Sequence, residues 1–129
     1  MTTDKFIIYV EDDADDILLM QEAFADIEGF RLMTFSNGAE LLHYLERAVC
    51  FPSLIILDVN MPVLNGRETL RLLKQHPIFS TLPVVLFSTG SQASEKLFAA
   101  AYNTDLFVKP FDFPSLHKMV RRIVAYARV

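Results

Sequence analysis

The sequence has little of the side-chain chemistry that forms disulfides or zinc sites. Its 129 residues include one cysteine, Cys50, so no internal disulfide bond can form. The histidines His43, His76 and His117 are scattered and have no second cysteine to join them, which argues against zinc. We expect Cys50 to pack among its neighbours as a small apolar side chain.

The sequence also lacks a long hydrophobic run and a targeting segment. No apolar run approaches the roughly 20 residues of a membrane-spanning helix. The opening MTTDKF has neither the basic start nor the apolar stretch of a secretory signal. Because 52% of the residues are hydrophobic, the chain can form one compact core. We expect a single domain over residues 1–129, with no attached output domain, in the cytoplasm and without membrane contact.

The charge balance excludes a general affinity for nucleic acid. The net charge is −4, which repels a phosphate backbone, so no nucleic-acid partner is expected. The stretch KMVRRIVAYAR is locally basic. We interpret it as the solvent-exposed face of one helix.

Short apolar runs alternate with longer segments of helical periodicity, which is the pattern of βα units. Three of the runs are apolar at nearly every position, as in parallel strands covered by helices on both faces. The predicted strands are Phe6–Val10, Arg31–Phe35, Leu54–Leu57, Val84–Phe87 and Leu106–Val108. The sequence therefore predicts an α/β fold with a doubly wound, five-stranded parallel sheet.

Polar residues follow the predicted strands where a sheet of this kind binds ligands, beyond the carboxyl ends. These residues are Glu11 and Asp12 after the first strand, Asp58 after the third, Ser88 and Thr89 after the fourth, and Lys109 after the fifth. Three carboxylates brought together resist ionising unless a cation offsets their charge. Oxygen ligands without His or Cys indicate a hard ion, most naturally Mg²⁺. Asp13, Asp15 and Asp16 need not join this site, because carboxylates in the first turn of a helix are favoured as caps.

Asp58 stands in LIILDVNMPVLNGRE, at the end of the most apolar strand. An aspartate beside Mg²⁺ and an ammonium group can attack a phosphoryl group and form an aspartyl phosphate. Lys109 and the cation would neutralise the phosphoryl oxygens, and the hydroxyl of Ser88 or Thr89 would donate a hydrogen bond to one of them.

Four blocks carry a resemblance to a known family: IIYVEDD, LDVNMPVLNG, LPVVLFSTG and FVKPF. Together they resemble the receiver domain of two-component response regulators, which includes the single-domain chemotaxis regulator. The resemblance spans the whole chain and implies a flavodoxin-like (βα)5 fold with strand order 2-1-3-4-5.

The resemblance also implies roles for individual residues. It makes Asp58 the phosphoacceptor, Ser88 the switch hydroxyl and Lys109 the conserved lysine, whose bond to Pro110 is usually cis in the family. The implied Mg²⁺ ligands are Glu11, Asp12, Asp58 and the backbone carbonyl of Asn60. Pro62 and Gly66 match the family's turn, as restricted and permissive backbone positions.

The implied function is a phosphorylation-activated switch that is a phosphoacceptor rather than an enzyme acting on a separate substrate. The phosphoryl group comes from a sensor histidine kinase or a histidine phosphotransfer protein, and the output is contact with another protein. The resemblance names neither the kinase nor the target, and it leaves the oligomeric state open.

One position departs from the family pattern. Three residues before Lys109 the family usually has an aromatic residue that moves inward with the switch hydroxyl, but this chain has Leu106. Phe107 cannot replace it, since neighbouring residues of a strand face opposite sides.

Other readings of the chain compete with a phosphorylated switch. A haloacid-dehalogenase-like phosphatase requires a second Asp two residues after Asp58, where this chain has Asn60. A flavodoxin-like FMN module requires a phosphate loop rich in glycine and hydroxyls, whereas EDDADD repels phosphate. The alternative that stays open is an adaptor with a receiver fold that binds a partner without being phosphorylated.

Overall fold

The computed structural model describes residues 5–59, 64–90 and 93–127. Its strands are β1 (Phe6–Val10), β2 (Arg31–Phe35), β3 (Leu54–Asp58), β4 (Val84–Ser88) and β5 (Asp105–Val108). Its helices are α1 (Ala14–Phe24), α2 (Gly38–Arg47), α3 (Gly66–Gln75), α4 (Ala93–Ala101) and α5 (Phe113–Val124), and a short 3₁₀ turn covers Phe79–Thr81. All five predicted strands are present, and the prediction missed one residue at one end of three of them.

The strands form one parallel sheet in the order β2-β1-β3-β4-β5. Every residue of β1, β3 and β4 is buried, because these central strands are covered on both faces. The edge strands β2 and β5 are only partly buried. The doubly wound α/β fold and its strand order are therefore confirmed.

Two apolar layers enclose the sheet, one on each face. Ile8, Ile55 and Leu86 pack with side chains of α2, α3 and α4 on one face. Ile7, Ile56 and Val85 pack with side chains of α1 and α5 on the other. Successive strand residues alternate between the two layers, as the pleat requires. Within the described ranges, no helix has the length and apolar character needed to cross a bilayer.

Short polar side chains cap the N-termini of four of the described helices. Asp13 accepts hydrogen bonds from the backbone N–H groups of Asp15 and Asp16, and Asn37, Asn65 and Asp112 cap α2, α3 and α5 in the same way. These caps fix where each helix starts relative to the strand before it.

At the surface of the protein, the prediction for the basic stretch is confirmed and the prediction for Cys50 is wrong. Lys118, Arg121 and Arg122 lie exposed on α5, so the part of the basic stretch that lies on this helix is a solvated face as predicted. The prediction that Cys50 packs inside is wrong, because Cys50 is exposed between α2 and β3. The segment around it follows the end of α2 and contributes little to either apolar layer.

Candidate functional site

Three carboxylates meet at the carboxyl ends of β1 and β3. Val10 and Leu57 are paired in the sheet, which brings Glu11 and Asp12 beside Asp58. One oxygen from each of the three groups lies within 4.8 Å of the other two. Glu11 and Asp58 are buried, whereas Asp12 is exposed to solvent. The cluster therefore has two fixed acids at its base and one acid at its mouth.

The donor set of this cluster fits a hard divalent cation. The three groups supply only oxygen atoms, which Mg²⁺ and Mn²⁺ accept readily, and no histidine or cysteine belongs to the cluster among the described residues. Their like charges disfavour simultaneous ionisation without a cation. Asn60 and Pro62 lie outside the described residues.

Glu11 is held by hydrogen bonds from β1 and from Asp13, the residue that caps α1. The buried Tyr9 hydroxyl donates to Glu11 Oε1 at 2.8 Å, and the Asp13 backbone N–H donates to Oε2 at 3.2 Å. Burial raises the pKa of Glu11, but hydrogen bonds with Asp58, Lys109 and Tyr9 outweigh it, and the net pKa is lowered. Burial and the neighbouring Glu11 raise the pKa of Tyr9, which keeps its hydroxyl protonated as a donor.

Lys109 extends from the end of β5 toward the same carboxylates. Its ammonium group lies 2.6 Å from Glu11 Oε1, 3.0 Å from Asp16 Oδ2 and 3.6 Å from Asp58 Oδ2. Burial lowers the pKa of Lys109, yet the hydrogen bond to Glu11 and the charge of Asp58 prevail, so the net pKa is raised. The lysine is thus charged and shared among three acids.

Asp16 belongs to this arrangement, contrary to the capping interpretation of the acidic run. Asp13 is a helix cap as predicted, but the Asp16 side chain binds Lys109 instead of the helix start. Asp16 lies in the first turn of α1, and that turn faces the end of β5. The sequence alone did not distinguish it from its exposed neighbour Asp15.

Ser88 ends β4 and its hydroxyl bonds to the segment that follows. Ser88 Oγ lies 2.7 Å from Glu95 Oε1 and 2.9 Å from the Gly90 carbonyl, and it accepts a hydrogen bond from the Gly90 N–H at 3.1 Å. Thr89, which carries the other candidate hydroxyl, is exposed. Sequence reasoning assigned no role to Glu95, because an acid near the start of a helix ordinarily lies in solvent.

Gly66 sets the distance between α3 and the strand that carries Asp58. A Cβ atom at Gly66 would lie 2.3 Å from the Asp58 carbonyl oxygen and 2.8 Å from Val59 Cα. Among the described glycines only Gly29 has a positive φ. The expectation that Gly66 supplies an unusual backbone conformation is therefore wrong, and its requirement is space.

Two further expectations concern the end of β5. Leu106 packs into the layer beneath α2, α3 and α4, whereas Phe107 packs into the layer beneath α1 and α5, as predicted. The expected cis bond between Lys109 and Pro110 is wrong: no described peptide bond is cis. The trans form is the intrinsically preferred one for a bond before proline.

The chain is similar to proteins of known class. A sequence model described as the response regulator receiver domain matches residues 7–121. Response regulator Rcp1 of Synechocystis sp. is 28% identical over 129 residues, covering 95% of this chain and 88% of that protein. The first curated relatives are longer, and the chain spans between 38% and 53% of their length.

Solved structures share the same architecture. The phosphorylated cyanobacterial phytochrome response regulator RcpA superposes with a TM-score of 0.88 at 30% identity, covering 97% of this chain and 94% of that one. The Mn²⁺-bound form of Rcp1 superposes with a TM-score of 0.84 at 28% identity, covering 95% and 93%.

Receiver domains take phosphoryl groups from histidine kinases, bind Mg²⁺ or Mn²⁺ at an acidic pocket, and act on downstream targets as signalling proteins rather than enzymes. The acidic cluster of Glu11, Asp12 and Asp58 is consistent with such a pocket. Given the match over residues 7–121, the chain belongs to the response regulator receiver domain family of two-component signalling.

Proposed function

We propose that this chain is a phosphorylation-activated switch in which Asp58 accepts a phosphoryl group from a histidine kinase or a histidine phosphotransfer protein. The observation that carries the proposal is the placement of Asp58 at the end of β3, within 3.6 Å of the Lys109 ammonium and beside Glu11 and Asp12. Its carboxylate is largely buried yet adjoins an exposed acid, so a donor can approach from one side.

Glu11, Asp12 and Asp58 would hold the cation, together with the backbone carbonyl of Asn60, which is included on the family resemblance alone. When bound, Mg²⁺ supplies positive charge that neutralises phosphoryl oxygens. Asp12 would be a direct ligand at the mouth, and Glu11 would act partly through water, because its Oε1 already binds Tyr9 and Lys109.

The transfer exchanges one bond for another at phosphorus. An Asp58 carboxylate oxygen attacks the phosphorus of a phosphohistidine, forming a P–O bond as the P–N bond breaks. The electron pair of the broken bond stays on the imidazole nitrogen. Lys109 stabilises negative charge on the transferring group, and Ser88 donates a hydrogen bond to one of its oxygens. Attack by water on the aspartyl phosphate later releases inorganic phosphate and restores the carboxylate.

The output of this switch is contact with another protein. Phosphorylation adds about two negative charges and three acceptor oxygens beside Asp58, and this change of charge is what the rest of the domain responds to. We propose that the face formed by α4, β5 and α5 responds and binds the target. Leu97 of α4 and Val108 of β5 are exposed there, and Phe111 is exposed between β5 and α5, so these side chains provide apolar contact area. A cytoplasmic location fits this role and stays a prediction.

The intact mass after incubation with acetyl phosphate and Mg²⁺ tests the proposal. We expect a gain of one phosphoryl group in the wild type and none in Asp58→Asn. Asp15→Asn is the matched control, because Asp15 is an exposed aspartate of the same acidic segment. An unmodified wild type would favour the adaptor, and labelling of Asp58→Asn at another acid would refute the assignment of Asp58.

A further inference from the structure

Glu95 is a buried carboxylate outside the acidic cluster. It lies in the first turn of α4, and only 4% of the residue is exposed. Its Oε1 is 2.7 Å from Ser88 Oγ, and Ser88 is fully buried. Burying a carboxylate without a hydrogen-bond donor costs free energy, and the Ser88 hydroxyl supplies the donor that Glu95 needs.

The Ser88 hydroxyl cannot serve Glu95 and a phosphoryl group together. A serine hydroxyl has one proton to donate. That proton has two acceptors within reach, Glu95 Oε1 at 2.7 Å and the Gly90 carbonyl at 2.9 Å. The carboxylate is the shorter and the charged acceptor, and therefore the stronger one. A hydrogen bond to a phosphoryl oxygen on Asp58 requires the hydroxyl to leave Glu95.

The backbone of Ser88 is anchored separately from its side chain. Ser88 pairs with Val108 in the sheet, and the Lys109 N–H donates to the Ser88 carbonyl at 2.6 Å. Rotation of the side chain can therefore break the contact with α4 while the strand pairing with β5 persists. Glu95 would then need water as its new donor. Water reaches so buried a group only if the first turn of α4 moves away from β4.

We propose that Glu95 is a positioning residue that holds the Ser88 hydroxyl in the resting state and makes displacement of α4 a consequence of phosphorylation. The proposal rests on the proposed function, since it requires Ser88 to turn toward a phosphoryl group on Asp58. It gives this chain a direct link from the site to α4 that does not use residue 106, where Leu106 has neither an aromatic ring nor a hydroxyl.

The test is a titration with beryllofluoride and Mg²⁺, followed by NMR of backbone amides. In Glu95→Ala the resting state loses its stabilising contact, so the apparent affinity for beryllofluoride rises by about fivefold or more. Glu95→Gln keeps a neutral acceptor and falls between wild type and Glu95→Ala. Lys96→Ala, at the next and exposed position, leaves the affinity unchanged. If Glu95→Ala does not fold, Glu95→Leu fills the buried volume without an acceptor and replaces it.

A double-mutant comparison separates positioning from a structural role. In a Ser88→Ala background, Glu95→Ala changes the beryllofluoride affinity no further, because the contact is already absent. A purely structural Glu95 would lower stability in both backgrounds without altering affinity. Equal affinities of wild type, Glu95→Ala and Glu95→Leu would overturn the proposal, as would a gain that persists without Ser88. Failure of wild type to bind beryllofluoride would overturn the proposed function and this inference together.

Discussion

The Lys109 ammonium lies 2.6 Å from Glu11 Oε1, joining residues 98 positions apart in the sequence. Asp58 is farther from the same ammonium, at 3.6 Å. In the resting protein the lysine therefore contacts Glu11, the acid that follows β1, more closely than it contacts the proposed phosphoacceptor. A phosphoryl group on Asp58 would have to compete with Glu11 and Asp16 for this cation.

Replacing Lys109 with methionine tests how much the cluster depends on that cation. Lys109→Met leaves Glu11 and Asp58 buried without their counter-charge, and we expect a loss of about 3 kcal/mol in the free energy of unfolding. Urea unfolding at neutral pH without metal measures it. Lys118→Met is the control, because Lys118 is an exposed lysine of α5. Equal losses in the two variants would show that Lys109 does not stabilise the cluster.

Removing Asp12 tests the cation site. We expect Asp12→Ala to weaken Mg²⁺ binding by about tenfold or more, since the cluster loses its exposed oxygen ligand. Isothermal titration calorimetry measures the affinity, with Asp15→Ala as a control that removes an equal charge nearby. If both variants bind Mg²⁺ as tightly as wild type, Asp12 is not a ligand.

The lowered pKa of Glu11 predicts how the stability of the folded protein depends on pH. Although burial raises its pKa, hydrogen bonds with Asp58, Lys109 and Tyr9 bring it below the ordinary value of 4.5. The folded protein therefore holds this proton less tightly than the unfolded chain. The resulting stability is present above about pH 4.5 and is lost as the pH falls through the folded pKa.

Tyr9→Phe should move this acid-dependent loss to higher pH, because it removes one of the bonds that lower the pKa of Glu11. Thermal unfolding in metal-free buffers between about pH 3 and 7 detects the change. Tyr44→Phe, which removes the hydroxyl of a tyrosine on α2, serves as the control. An unchanged pH profile in Tyr9→Phe would contradict the contribution of the tyrosine.

Ser88 and Leu106 should differ in how they affect the response of α4 to beryllofluoride. We expect Leu106→Ala to cost about 2 kcal/mol of stability through lost packing while the amides of α4 still respond to beryllofluoride. Ser88→Ala should also lower the stability, because it leaves the buried Glu95 carboxylate without its donor, and unlike Leu106→Ala it should weaken the α4 response. NMR shift mapping of both variants decides the matter, and an α4 response that survives Ser88→Ala would exclude the hydroxyl as the coupling group.

The sequence predicted the strands well because uninterrupted apolar runs mark buried parallel strands. It also predicted that Glu11, Asp12 and Asp58 gather, because the carboxyl ends of parallel strands meet at one edge. Tyr9 lies in the first of these apolar runs, which predicts a core position for it and no contact for its hydroxyl. Its ring does pack in the core, but its hydroxyl reaches Glu11 along the same face of the strand.

The roles of Asp16 and Glu95 could not be read from the sequence. Both are acids in the first turn of a helix, where a solvent-exposed side chain is the ordinary outcome. What distinguishes them is the rotation of α1 and α4 about their axes relative to the strand ends. That rotation is set by packing of the apolar side chains and not by the local sequence around either acid.

The strand order affects the kinetics of folding. Glu11 and Asp58 become neighbours only when β3 pairs with β1, and the chain between these strands comprises α1, β2 and α2. Parallel pairing over such separations is slow, and a cation has no assembled site on the unordered chain. If the cluster closes after the rate-limiting step, Mg²⁺ leaves the refolding rate unchanged and slows unfolding. The bound ion would then extend the lifetime of the native state, and the unfolding rate would depend on the concentration of Mg²⁺.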